Sequence, residues 1–93
     1  MTEPTWDEVL AEVFDWADNA VPHTADSDVH KFKEEAEEFL AHPSIGEACD
    51  VLMIITHWAH LRGENLKAEV IRKLAENKKR TWKQREDGTW KHV

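Results

Sequence analysis

The chain has 93 residues, with 12 Lys or Arg against 19 Asp or Glu and a formal charge of −7. A chain of this length is expected to form one compact domain over residues 1–93 that buries a modest share of its surface and gains stability by oligomerising. The acidic balance argues against general affinity for nucleic acid or anionic membrane. No signal-like segment or apolar run of about 18 residues occurs, and Cys49 has no internal disulfide partner, so a cytoplasmic protein is expected.

In chain order, Thr5 and Glu8 form a capping-box signature, and Trp6, Val9, Leu10, Val13, Phe14 and Ala17 follow with helical period, which predicts a first helix over about 5–19. A loop with Pro22 precedes a second helix over about 27–41, whose buried face carries Val29, Phe32, Ala36, Phe39 and Leu40. Ser44 and Glu47 give another capping-box pattern. The helix after it is apolar nearly all round until Gly63, the signature of a central helix. Asn65 caps a fourth helix reaching about Arg80, with Leu66, Val70, Ile71 and Leu74 as its core stripe. Four helices with short connections predict an all-α four-helix bundle. The repeated Thr-Trp-Lys at 81–83 and 89–91 flanks Asp87-Gly88, a dipeptide suited to a type I′ turn, so a short C-terminal hairpin fits there.

Charge is unevenly spread: residues 1–71 hold 4 basic and 16 acidic side chains, whereas 72–93 hold 8 basic and 3 acidic. Within the acidic part, two carboxylate pairs stand out, Glu35/Glu38 on the second helix and Glu47/Asp50 on the third. At i,i+3 spacing both members of a pair leave the same helix face, and like charges so placed call for a cation. Four hard oxygen donors on two facing helices suit Mg²⁺ or Mn²⁺. Glu35 falls roughly 40° from Phe39, at the edge of the apolar arc, with Glu38 further round. Glu47 reads equally as a capping partner of Ser44 or as a ligand. Asp50 lies in the helix most completely surrounded by apolar residues, where an unpaired carboxylate is expensive.

On the fourth helix Lys73, Asn77 and Arg80 follow i, i+4, i+7 spacing, and Lys73 and Asn77 project within about 20° of Leu66, so polar groups extend the inward stripe. Facing the carboxylates across the bundle, they resemble a phosphate-binding wall. The six histidines have no Cys partner at zinc-finger spacing and form no His-Glu-x-x-His motif, and they read as packing or surface residues. The five tryptophans read mostly as core or interface anchors, with Trp16 a candidate stacking surface for a base.

The ordered combination of Glu35-Ala36-Glu37-Glu38, Glu47-Ala48-Cys49-Asp50 and a helix carrying Lys73, Asn77 and Arg80-Thr81-Trp82 resembles the MazG-like all-α nucleoside triphosphate pyrophosphohydrolases. Arg62-Gly63, Trp16-Ala17 and the closing Lys91-His92-Val93 look similar to the phage-type dATP/dGTP diphosphohydrolase branch, as does the short connection between Glu38 and Glu47. The resemblance implies a phage-like enzyme in which Glu35, Glu38, Glu47 and Asp50 hold Mg²⁺, with Mn²⁺ able to substitute. Lys73, Asn77 and Arg80 would contact a nucleoside triphosphate, and Glu38 would orient the attacking water. The implied reaction is hydrolysis of purine dNTPs (dATP/dGTP) to the monophosphate and pyrophosphate, in a homodimer or homotetramer whose sites are often completed by a neighbouring subunit. Two readings compete. One is a non-catalytic helical interaction module using exposed Trp residues and the basic tail, and the other an RNA-binding module working through residues 72–93.

Overall fold

The computed structural model describes residues 2–93: four helices and then a two-stranded sheet. α1 (Trp6–Ala20), α2 (Ala25–Ala41), α3 (Ile45–Leu61) and α4 (Leu66–Lys79) lie where the periodicity puts them. α2 starts slightly earlier than expected because the Thr24 hydroxyl accepts the Ser27 amide and caps it ahead of the apolar stripe. At α1 the capping box is complete: Thr5 Oγ1 accepts the Glu8 amide at 3.2 Å, and the Glu8 carboxylate accepts the Thr5 amide at 3.3 Å. Asn65 Oδ1 caps α4 by accepting the Ala68 amide at 3.0 Å.

Gly63, at φ 67°, ends α3 in a Schellman motif. Its amide bonds the His60 carbonyl and the Glu64 amide bonds the Ala59 carbonyl, each at 3.0 Å, so two carbonyls of the last turn gain donors.

α2 packs along α3 in the most extensive helix contact, and α1 lies against α3. The α2–α3 pair is antiparallel: Asp28 meets His57, while Glu35, seven residues later, meets Asp50, seven residues earlier. α4 approaches α1 near its start, where Lys67 Nζ lies 3.0 Å from Asp7 Oδ2. Beyond that point Val70, Ile71 and Leu74 are each more than half exposed. The radius of gyration is 16.0 Å, against about 12 Å expected of a compact chain of this length. Among the described apolar residues only Ala17 and Ala59 are fully buried. The four helices of the expected all-α fold are present, and within one chain they form an open arrangement. No helix of the described residues is long and apolar enough to cross a membrane.

The C-terminal hairpin forms from β1 (Trp82–Gln84) and β2 (Trp90–His92), antiparallel with Trp82 opposite His92 and Gln84 opposite Trp90. Its turn differs from the expected type I′, which needs positive φ at both central residues. Here only Gly88 has it, at 91°. The Gly88 amide bonds the Arg85 carbonyl at 3.0 Å and the Arg85 amide bonds the Thr89 carbonyl, closing a three-residue loop with glycine at its left-handed position. Asp87 serves as an acceptor instead, taking the Thr89 amide at 2.9 Å. Trp82 Nε1 donates to the Asn77 carbonyl at 2.9 Å and ties the hairpin to the end of α4.

A Cβ added at Gly63 would meet nothing within 4 Å, so substitution there is opposed only by the backbone conformation. Gly63→Ala is expected to lower stability by about 1 kcal/mol and Gly63→Asn by less, since Asn tolerates left-handed φ. Urea denaturation of the two variants checks this, and equal midpoints would contradict it.

Candidate metal centre

Packing α2 against α3 gathers carboxylates from both helices. Glu35, Glu47 and Asp50 each offer an oxygen, all within 4.8 Å of one another. Glu35 is buried, with one oxygen 3.3 Å from Lys31 Nζ and the other without a partner. Glu47 likewise leaves Oε2 buried and unpartnered. Its two sequence readings separate at this point. The Glu47 amide does donate to Ser44 Oγ at 3.2 Å, but its carboxylate does not return to the Ser44 amide as Glu8 does to Thr5. The carboxylate turns to the acidic cluster instead.

Asp50 departs from expectation in its surroundings. It is exposed, and the buried carboxylate is Glu35. The reason is that α3, although apolar nearly all round, is covered only in part by this chain: Ile45, Leu52 and Ile55 are exposed along with Asp50.

The neighbouring Glu35 carboxylate, and then the charge of Glu47, hold the Glu38 carboxyl above the usual glutamate range. Repulsion of this kind, together with two buried oxygens that lack donors, fits a hard divalent cation; Glu38 stands beside the cluster of Glu35, Glu47 and Asp50 and is not one of the three whose oxygens meet.

An open cleft of about 820 Å³ runs along this face, bordered by Trp16 from α1, by Asp28, Lys31, Glu34 and Glu35 from α2, and by Asp50 and Met53 from α3. Trp16 is 57% exposed, so its indole is free to receive a planar group beside the carboxylates. Lys73, Asn77 and Arg80 do not border the cleft. They sit together at the far end of α4, where Arg80 Nη1 donates to Asn77 Oδ1 at 3.2 Å and Arg80 also pairs with Glu76. Within one chain, then, these three residues lie on α4 away from the carboxylate cleft.

A second polar cluster went unread in the sequence. Asp28 and His57, both buried, are joined to His23, Asp18 and His60 in one hydrogen-bonded chain. Its members lie far apart in sequence. The available signal was the step of seven residues, two helical turns, from Asp28 to Glu35 and from Asp50 to His57.

The chain matches no protein-family model. It is 35% identical over 81 residues to a dATP/dGTP diphosphohydrolase of Salmonella phage PMBT28, a match that covers 84% of this chain. The chain spans only 28% of that relative's length. Among solved structures it is similar to a MazG-like pyrophosphohydrolase of cyanophage S-2L bound to dGDP and three catalytic Mn²⁺ ions per active site. There the TM-score is 0.81 at 28% identity, covering 97% of this chain and 94% of that one. The chain belongs to the MazG-like superfamily. In this MazG-like chain the antiparallel α2–α3 pair is what brings the two carboxylate motifs face to face.

Because Glu38 binds its proton more tightly when folded, its contribution favours the folded state at acid pH and is lost as pH rises through the raised value. Without metal, Glu38→Gln is therefore expected to raise the melting midpoint at pH 7, and to leave it unchanged below about pH 3, where glutamate is protonated in either state. Thermal melts in EDTA at the two pH values check this, and an equal gain at both would contradict it.

Proposed function

We propose that the chain is a Mg²⁺-dependent pyrophosphohydrolase of purine deoxynucleoside triphosphates, with Mn²⁺ able to substitute, releasing the monophosphate and pyrophosphate. The observation that carries the reading is the meeting of Glu35, Glu47 and Asp50 within 4.8 Å, with two buried carboxylate oxygens lacking any donor. Support also comes from the similarity to a protein that binds dGDP with three Mn²⁺ ions and to one named for dATP and dGTP.

Divalent cations bound here would neutralise phosphate oxygens and make a coordinated water acidic enough to attack phosphorus at neutral pH. The protein's own groups do the rest. Glu35, Glu38, Glu47 and Asp50 would hold the cations, and Glu38 would also orient the attacking water. Trp16 stacks on the base at the other side of the cleft. Hydrolysis falls between the α and β phosphates, and the departing pyrophosphate needs cationic donors.

Lys73, Asn77 and Arg80 supply those donors from the α4 of a second subunit. The exposed apolar residues of α4 and of the first half of α3 give that subunit a surface to cover, in a homodimer or homotetramer. An apolar groove between α1 and α4, lined by Trp6, Leu10, Phe14, Leu66, Val70 and Ile71, extends the same surface.

Incubating the purified protein with each common NTP and dNTP, in Mg²⁺, Mn²⁺ or EDTA, and separating the products by chromatography tests the reading. Monophosphate and pyrophosphate should appear only with metal and fastest from dATP and dGTP. Asp50→Asn and Glu47→Gln should each reduce turnover by more than roughly 100-fold, beyond what loss of an outer hydrogen bond does to a metal site. No turnover with either ion would return the chain to the class of helical interaction modules.

A further inference from the structure

The buried histidine chain between the three packed helices has a proton count that neutral side chains cannot meet. His57 Nδ1 lies 2.9 Å from Asp28 Oδ2, and its Nε2 lies 3.1 Å from Asp18 Oδ1. His23 Nε2 lies 2.7 Å from Asp28 Oδ1, and its Nδ1 lies 2.6 Å from the Val21 carbonyl. All four partners are acceptors, whereas two neutral imidazoles carry two N–H groups between them.

A carbonyl oxygen only accepts, so His23 carries its hydrogen on Nδ1 and turns a ring lone pair toward Asp28. A neutral His57 has one hydrogen for two carboxylates, so a second ring lone pair faces Asp28 or Asp18 with nothing positive between them. The place is poor for such a conflict: Asp28 is 3% exposed and His57 4%. Mutually facing buried acceptors are strongly destabilising unless cationic charge separates them.

Two additional protons or one divalent cation would each supply that charge, and both leave the cluster with the same net charge. Two protons make two imidazolium rings whose centroids are 4.7 Å apart, one of them on the buried His57, which adds desolvation and like-charge repulsion. One metal ion avoids both. The outer contacts are also those of metal-bound histidines, whose second nitrogen donates to a carboxylate or a backbone carbonyl and so fixes the tautomer and the ring.

We propose that His23, Asp28 and His57 form a second metal site, distinct from the carboxylate centre and selective for Zn²⁺-class ions. Two imidazole nitrogens and one carboxylate suit Zn²⁺ or Co²⁺, whereas the all-oxygen centre suits Mg²⁺ and Mn²⁺. Three protein ligands leave one position open, and His23, whose side chain is 29% exposed, places it toward the same cleft. Asp18 orients His57 from outside, and it also accepts from His60 Nε2 at 2.9 Å while the His60 ring stacks on Phe14. The upward shift of the His23 proton affinity, caused chiefly by the Val21 carbonyl and then by Asp28, expresses the same demand for positive charge.

Titrating the full chain with Co²⁺, in excess Mg²⁺ to fill the carboxylate centre, tests the site. The expected result is an intense visible absorption of four-coordinate Co²⁺, saturating at one ion per chain and abolished by Zn²⁺. His23→Gln, at an exposed loop position, should remove the signal, and Glu47→Gln should leave it. Asp18→Asn, which touches no metal, should weaken Co²⁺ binding by roughly 10- to 100-fold. A weak six-coordinate spectrum, a signal insensitive to His23→Gln, or one lost with Glu47→Gln would overturn the proposal and leave the cluster as a pair of imidazolium–carboxylate contacts.

Discussion

The antiparallel packing of α2 on α3 is the constraint on which the rest depends, because it sets carboxylates of both helices against one another with too little positive charge between them. Lys31 reaches one oxygen of Glu35, and no described donor reaches the other. A protein selected only for stability would replace some of these side chains, since like charges and unpartnered buried oxygens both oppose folding. Retaining them makes sense where a cation is part of the working state. The folding free energy and the metal affinity are then linked, because whatever repulsion the apo protein carries is relieved when the ion binds.

That same constraint shapes the rest of the protomer. With α2 and α1 laid on α3, the core of one chain is little more than the small side chains Ala17 and Ala59, and the larger apolar residues of α4 stay largely exposed. Lys73, Asn77 and Arg80 lie on the same helix whose apolar residues this chain leaves largely uncovered. Cationic groups kept on a separate α4 also cannot neutralise the carboxylates of their own chain in the absence of metal.

Local rules made much of this legible. Helix starts followed Thr5, Ser44 and Asn65, the stop followed Gly63, and the carboxylate pairs followed i,i+3 spacing. What the sequence hid depended on coverage or on distant pairing. Asp50 looked enclosed because α3 is apolar on all sides, but an apolar surface is buried only if something covers it. The capping-box pattern at Ser44 was half met, since the Glu47 carboxylate had a competing place in the cluster. The hairpin was correct in position and different in turn, because a single glycine sufficed once Asp87 turned to its own loop. His57 and Asp28 are 29 positions apart, and no spacing rule within one helix joins them.

The step of seven residues on both helices nonetheless unites the two clusters. Two turns of helix, about 10 Å, separate Asp28 from Glu35 and Asp50 from His57, so the antiparallel pair makes two polar crossings on one seam. At one crossing every donor is a carboxylate oxygen, and at the other, two are imidazole nitrogens. Donor softness then favours a different ion at each crossing, a hard one at the carboxylates and a nitrogen-preferring one at the histidines. Because both crossings lie on the same helix pair, an ion at the histidine crossing would also hold in register the helices that carry Glu35 and Asp50.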